Sequence, residues 1–245
     1  MCQDCGCGDT NLVPIEVQHR ILDRNDRTAA HNRAHFESDG ILAVNLMGSP
    51  GAGKTAVLEA TARAAGRPAS LAAIAGDLAT ENDSDRLNVA GIRSRAIQTG
   101  QACHLDAELV HNCLHGFSLE GVAYLFIENV GNLVCPAVYD LGQSVNVVAL
   151  SVTEGEDKPL KYPTMFQKAD LVLLTKIDLL RHLPNVKLEK LHDALSRVMP
   201  DPRVIMMSAL DDTGFREWIE WLAAKRNALS GSVPAHPDHH VHPHA

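Results

Sequence analysis

Residues 48–55 read Gly48-Ser49-Pro50-Gly51-Ala52-Gly53-Lys54-Thr55. A glycine, four residues, then Gly-Lys and a hydroxyl residue suits a loop that wraps an anion. Glycines let successive backbone N–H groups curl around phosphates, and a helix starting at the loop adds positive potential. Lys54 is expected to reach the β- and γ-phosphates and Thr55 to hold Mg2+, with Gly48, Ser49, Gly51, Ala52 and Gly53 forming the cradle. An apolar run, Ile41-Leu42-Ala43-Val44-Asn45-Leu46, precedes the loop and a helical pattern follows it. That strand–loop–helix context separates a phosphate-binding loop from an ordinary Gly-rich turn.

Working outward, apolar runs alternate with amphipathic stretches from Ile41 to about Arg226. This predicts βαβ units: an α/β fold of three layers, a mostly parallel sheet with helices on both faces. The predicted strands are Ile41–Met47, Ser70–Ala75, Ser94–Thr99, Ala123–Glu128, Val145–Ser151, Leu171–Leu174 and Val204–Met207. Helices are predicted over Lys54–Ala65, Asp106–His115, Lys187–Val198 and Gly214–Lys225. Residues 15–40 read as a helical lead-in, its few apolar groups (Ile15, Leu22, Phe36) predicting loose packing. Residues 1–14 read as a metal-binding arm, and 227–245 as a disordered His-rich tail.

With 245 residues, one large domain can bury a substantial core. The formal charge of −8 argues against a phosphate-backbone binder, so no nucleic-acid partner is expected. No apolar run is long enough to span a bilayer, and no secretory leader is evident, so the expected compartment is the cytoplasm. There cysteines stay reduced and read as metal ligands or catalytic groups.

The base reader is sought after a later strand. Thr175-Lys176-Ile177-Asp178 resembles the guanine signature N-K-x-D of G proteins, with Thr175 in place of Asn. An aspartate at Asp178 would accept hydrogen bonds from guanine's ring N–H and exocyclic amine, which adenine cannot supply. Lys176 would lie over the base. Met207-Ser208-Ala209 looks like the second guanine loop. The blander alternative is a strand-end turn with a helix cap. Asp77 and Glu128 each end a predicted strand, where ligands bind in open α/β sheets. With Lys54 and Thr55 they form the expected catalytic set, and with Thr55 the expected magnesium set. No Gln or Arg stands out to position water, so intrinsic hydrolysis is expected to be slow.

Cys2, Cys5 and Cys7 supply three thiolates beside the chain start, and the terminal amine is a further donor if Met1 is removed. A planar N/S set suits Ni2+ and a tetrahedral thiolate set suits Zn2+; spacing does not choose. Cys103-His104 is an adjacent ligand pair, and Cys135 follows the Glu128 segment; a buried structural cysteine is the alternative for Cys135. Cys113 reads as core, His111 and His115 as helix surface. His236, His239, His240, His242 and His244 form a tract able to buffer borderline metals.

Together, Cys2-x-x-Cys5-Gly6-Cys7, Gly48–Thr55, Cys103-His104-Leu105-Asp106-Ala107, Glu128-Asn129-Val130-Gly131-Asn132-Leu133-Val134-Cys135-Pro136 and Glu154–Pro163 resemble the hydrogenase nickel-incorporation GTPases. The resemblance covers nearly the whole chain to about residue 226. It implies a P-loop NTPase fold of the SIMIBI-type G domain and hydrolysis of GTP to GDP. It also implies delivery of nickel in nickel–iron hydrogenase maturation, a nickel site on the arm and a second nickel or zinc site at Cys103, His104 and Cys135. A GTP-promoted homodimer is implied, with Lys158 touching nucleotide across its interface, as are nickel-binding maturation partners and the hydrogenase large subunit. Competing readings are a urease-type nickel-insertion GTPase, a P-loop kinase and a passive nickel or zinc store. Only the passive store leaves the phosphate loop unexplained.

Overall fold

The computed structural model describes residues 15–77, 82–100 and 104–230. The arm with Cys2, Cys5 and Cys7, Cys103, and the histidines of 231–245 lie outside these residues. Among the described residues the strands are β1 (Leu42–Met47), β2 (Leu71–Asp77), β3 (Arg93–Gln98), β4 (Tyr124–Glu128), β5 (Val145–Ser151), β6 (Leu171–Thr175) and β7 (Val204–Met206). The helices are α1 (Ile15–Ser38), α2 (Lys54–Ala65), α3 (Asn82–Val89), α4 (Ala107–Leu114), α5 (Lys158–Lys161), α6 (Pro163–Gln167), α7 (Leu188–Val198) and α8 (Phe215–Ser230). The strands form one sheet in the order β3-β2-β4-β1-β5-β6-β7, every neighbouring pair parallel.

Every residue of β1 is buried, as a central strand covered on both faces requires. Leu42, Val44 and Leu46 face Val57, Leu58, Phe215 and Trp218 of α2 and α8. Ala43 on the other face joins Phe36, Leu105 and Val110, while Met47 joins Met165, Phe166 and Leu195. Trp218 is fully buried and its indole N–H donates to Thr61 Oγ1 at 3.0 Å, locking α8 onto α2. The chain leaves β1 toward β2 on one side and later toward β5 on the other. The C-terminal end of β1 is therefore a topological switch point, where such sheets bind ligands.

Three details differ from the sequence reading. α1 is not loosely held: Ala29, Asn32 and Phe36 are fully buried, and Arg33 pairs with Asp140 at 2.7 and 2.8 Å. Asn25 Nδ2 donates to Asp140 O at 2.8 Å, and Asn32 Nδ2 to Ala107 O and Leu141 O. Buried amides rather than an apolar stripe dock this helix, so counting apolar residues misses it. α8 continues to Ser230, into the segment read as tail, with Leu229 packed on the core that holds Trp218 and Trp221. α3 and the short α5 and α6 were not expected; in α3 only Leu87 and Val89 among the eight residues are apolar.

Candidate nucleotide and metal site

The loop between β1 and α2 crosses the switch point. A Cβ on Gly48 (φ 151°) would overlap the Ala149 carbonyl oxygen of β5, so only glycine fits between these strand ends. Lys54 is buried at the start of α2, and its ammonium donates to Gly48 O (3.3 Å) and Ser49 O (3.4 Å), arching back over the loop. Ser49 Oγ donates to Glu154 Oε2, Glu154 Oε1 accepts from Ser151 N at 2.9 Å, and Lys158 pairs with Glu154 at 3.4 Å. Lys158 thus reaches the phosphate loop through Glu154.

Thr55, Glu128 and Asp83 converge. Thr55 Oγ1 donates to Glu128 Oε1 at 2.8 Å and also lies 3.0 Å from Asp83 Oδ1. One hydroxyl proton cannot serve two carboxylates. Glu128 is 3% exposed, and its Oε2 has no hydrogen-bond partner among the described residues. Burial raises its pKa to about 7; Asp83 adds to the rise, while Lys54, Thr55 and Arg86 oppose it. An orphaned buried acceptor beside a threonine hydroxyl and a second carboxylate is the donor set a hard divalent cation needs. These residues fit Mg2+. Asp77 is the last residue of β2, level with Gln98 of β3. Asp83, in the first turn of α3, was not anticipated. Its only sequence signal is the acidic stretch Glu81-Asn82-Asp83-Ser84-Asp85.

A cavity of about 390 Å³ follows the loop, lined by Gly53, Lys54, Thr55, Glu128, Gly131 and Lys176 among others. Arg86 closes the far end, held by paired contacts to Glu59 at 2.8 and 2.9 Å. Asp178, Ser208, Ala209 and Lys158 are not part of this lining. Lys176 sits in the left-handed region (φ 59°) with its ammonium donating to Gly51 O at 2.6 Å. Asp178 is half-buried in the 3-10 turn Ile177–His182. Ile177 N donates to Met207 O (3.3 Å), which places the second loop beside the first. Ser208 is fully buried and its Oγ accepts from Leu210 N. Thr175 Oγ1 donates to Ala52 O at 2.6 Å. The hydroxyl therefore braces the phosphate loop, a role the sequence departure from Asn had left open.

The Glu128–Cys135 segment lies against that loop. A Cβ on Gly131 would come within 2.9–3.1 Å of Pro50, and Gly48 and Asn132 form an antiparallel bridge. Asn129 is the junction: its Nδ2 donates to Asn45 Oδ1 of β1 at 3.2 Å, and its Oδ1 accepts from Val130 N and Leu105 N. Leu105 adjoins His104, whose ring stacks on Tyr139 at 4.0 Å. Cys135, half-buried, starts the short 3-10 turn that leads to Tyr139. The His104 and Cys135 loops, whose meeting spacing alone could not show, are thus neighbours. Burial pushes His104 below its ordinary pKa, with Asp106 opposing, which favours the neutral imidazole that binds metal. Cys113 is buried core as expected.

Comparison with known proteins follows the same lines. A family model described as CobW/HypB/UreG, nucleotide-binding domain, matches residues 42–206. The hydrogenase maturation factor HypB of Azotobacter chroococcum mcd 1 is 48% identical over 216 residues, covering 87% of this chain and 70% of its own. The crystal structure of hydrogenase maturation factor HypB from Archaeoglobus fulgidus is similar with TM-score 0.77 and 38% identity, covering 84% of this chain and 100% of that one. The structure of HypB from Helicobacter pylori in complex with nickel gives TM-score 0.79 and 36% identity, covering 88% and 100%.

Proposed function

The chain belongs to the CobW/HypB/UreG family of nucleotide-binding domains, and from that premise we propose that it is a GTP-hydrolysing nickel metallochaperone of nickel–iron hydrogenase maturation. Its nucleotide state would control dimerisation and metal release. The observation that carries the reading is the packing of the Glu128–Cys135 segment on the phosphate loop through Gly131 against Pro50. A segment that touches the nucleotide loop at one end and bears a thiol at the other supports control of a metal by a nucleotide.

In this reading Gly48, Ser49, Gly51, Ala52, Gly53 and Lys54 hold the phosphates. Thr55, Glu128 and Asp83, with Asp77 at the end of β2, would hold Mg2+, which would neutralise charge at the β- and γ-phosphates. Lys176 covers the base, Asp178 pairs its Watson–Crick edge, and the Ser208-Ala209 loop lies beside it. Hydrolysis is attack of water on the γ-phosphate, and it needs the buried Lys54 to follow charge as it develops there. Cys2, Cys5 and Cys7 take nickel on the arm, and Cys103, His104 and Cys135 form the second nickel or zinc site. Val134, Val138 and Leu160, 56%, 43% and 44% exposed beside Cys135 and Lys158, support a second copy of the chain as partner. Maturation partners and the hydrogenase large subunit would follow in the cytoplasm.

The test is a nickel titration of protein whose Cys2, Cys5 and Cys7 are replaced by serine, with GDP and with a non-hydrolysable GTP analogue. A coupling of about 1–3 kcal/mol between nucleotide and metal is expected. Cys135→Ala should remove it. Equal nickel affinity in both nucleotide states would refute the controlling role, and equal GTP and ATP hydrolysis would refute the base assignment.

A further inference from the structure

On the outer face of the molecule, distant in function from the phosphate loop, two helices each carry a histidine pair one turn apart. α1 has His31 and His35; α4 has His111 and, at its C-terminal cap, His115. Residues four apart lie on one helix face. α1 packs on α4, so the two faces meet around a surface depression lined by all four histidines with Ala34 and Ser38. The docking that brings them together is the buried Asn32, which bonds Ala107 O and Leu141 O.

The same amide fixes the chemistry of His111. Both contacts to Ala107 O and Leu141 O use Asn32 Nδ2, so Oδ1 is the atom facing His111 Nδ1 at 3.2 Å. That oxygen only accepts, so His111 Nδ1 carries the ring proton. Its Nε2 is then an unprotonated lone pair, and it faces His115 Nε2 at 3.3 Å. Orientation of a histidine by its second nitrogen is the usual support of a metal ligand. Burial first, then the neighbouring His115, His31 and His35, push His111 below its ordinary pKa. The geometry is also that of shared ligation. Two imidazole nitrogens about 2.0–2.1 Å from one ion stand roughly 2.9–3.4 Å apart, with ring centroids roughly 4.5–5.2 Å apart. His111 and His115 have centroids 4.8 Å apart, and His31 and His111 5.2 Å.

We propose that His111 and His115, joined by His31, form a surface site for a borderline divalent cation, Ni2+ or Zn2+. Imidazole suits both ions. Among the described residues no three ligating atoms already converge, so His31 would have to rotate its side chain to complete the set. His35, 3.5 Å from Asp39, stands at the rim. Binding needs no net loss of protons from neutral rings. His115 moves its single ring proton from Nε2 to Nδ1 through solvent, and both Nε2 atoms then donate lone pairs to the ion. The site uses none of the residues assigned to nucleotide or cysteine-bound metal, so its failure would leave the proposed function untouched.

The test uses the full chain. Wild type and His115→Gln are dialysed to equilibrium against Zn2+ and, separately, Ni2+, and bound metal is counted. In parallel, the ring nitrogens of wild type are followed by nitrogen-15 NMR during the Zn2+ titration. His115 is exposed, and its replacement leaves the Asn32–His111 bond in place; a thermal melt checks that the variant is folded. The expected result is one metal equivalent fewer in the variant, with shifted Nε2 signals of His111 and His115 in wild type. An unchanged metal count in His115→Gln would overturn the proposal, as would ring signals that stay fixed at zinc saturation.

Discussion

Replacing Glu128 by glutamine should make the nucleotide-free protein more stable relative to wild type as pH rises, because the native fold resists ionising this carboxyl. Burial holds its pKa at about 7, against 4.5 for the free side chain. Below pH 4.5 the group is protonated in both states and costs nothing. Between 4.5 and 7 the unfolded chain releases a proton that the native one keeps, so stability falls as pH rises and levels off above 7. The full loss is about 3.4 kcal/mol, from 1.36 kcal/mol per unit over the 2.5 units between those values. Between pH 5 and pH 8 the share lost is about 2.5 kcal/mol. Glutamine does not titrate. Its amide keeps an oxygen for Thr55 but leaves an N–H where Oε2 has no partner, a pH-independent cost of about 1–3 kcal/mol. The sign of the difference at one pH is therefore not diagnostic, but its change with pH is. In EDTA, by thermal melts at pH 5 and pH 8, the melting temperature of Glu128→Gln minus that of wild type should rise by about 5–10 °C. A difference that stays constant over this range would refute the account of a buried, ionisation-resisting carboxyl and with it the electrostatic case for a cation beside Thr55.

Thr175→Val should weaken GTP binding roughly tenfold by removing the hydroxyl that braces Ala52, whereas Thr175→Ser should keep most of it; calorimetric titration with GDP and GTP measures both. Asp178→Asn should weaken GTP by on the order of 10²–10⁴-fold and improve the relative affinity for xanthine nucleotides, whose ring pattern complements an amide; competition binding reads this out, and an unchanged preference would remove Asp178 from the base site.

The sheet was legible chiefly because its inner strands β1, β4, β5 and β6 are buried on both faces and so appear as apolar runs bounded by turns, whereas the edge strand β3 is largely polar and only partly buried. Each of the strands read from the sequence is present within one or two residues. What stayed hidden has a common cause. α1 docks through Asn25 and Asn32, α3 through Ser84 and Leu87, and neither carries the apolar stripe that periodicity detects. In the site, the phosphate loop was legible because its glycines answer a local backbone demand. Asp83 was not, since its approach to Thr55 depends on where α3 lands against α2. Thr175 was legible as a departure from Asn, but its consequence was not. Its hydroxyl replaces an amide only because Ala52 O lies 2.6 Å away, a distance no sequence encodes.

The placement of Asn129 explains why nucleotide and metal would be linked in one domain rather than merely joined in one chain. Its buried amide bonds Asn45 in β1, Val130 in the Glu128–Cys135 segment, and Leu105 beside His104. Each bond is worth about 1 kcal/mol net, but leaving a buried partner unmade costs about 1–3 kcal/mol. A shift of the Glu128–Cys135 segment in response to a γ-phosphate cannot therefore leave Leu105 behind without stranding a buried N–H. The economical motion would carry His104 and Cys135 together and so change the geometry of the two proposed ligands at once. Under the proposed function, this shared amide is where a γ-phosphate would act on both positions together, and a two-state rearrangement there is what release of a metal by a nucleotide would require.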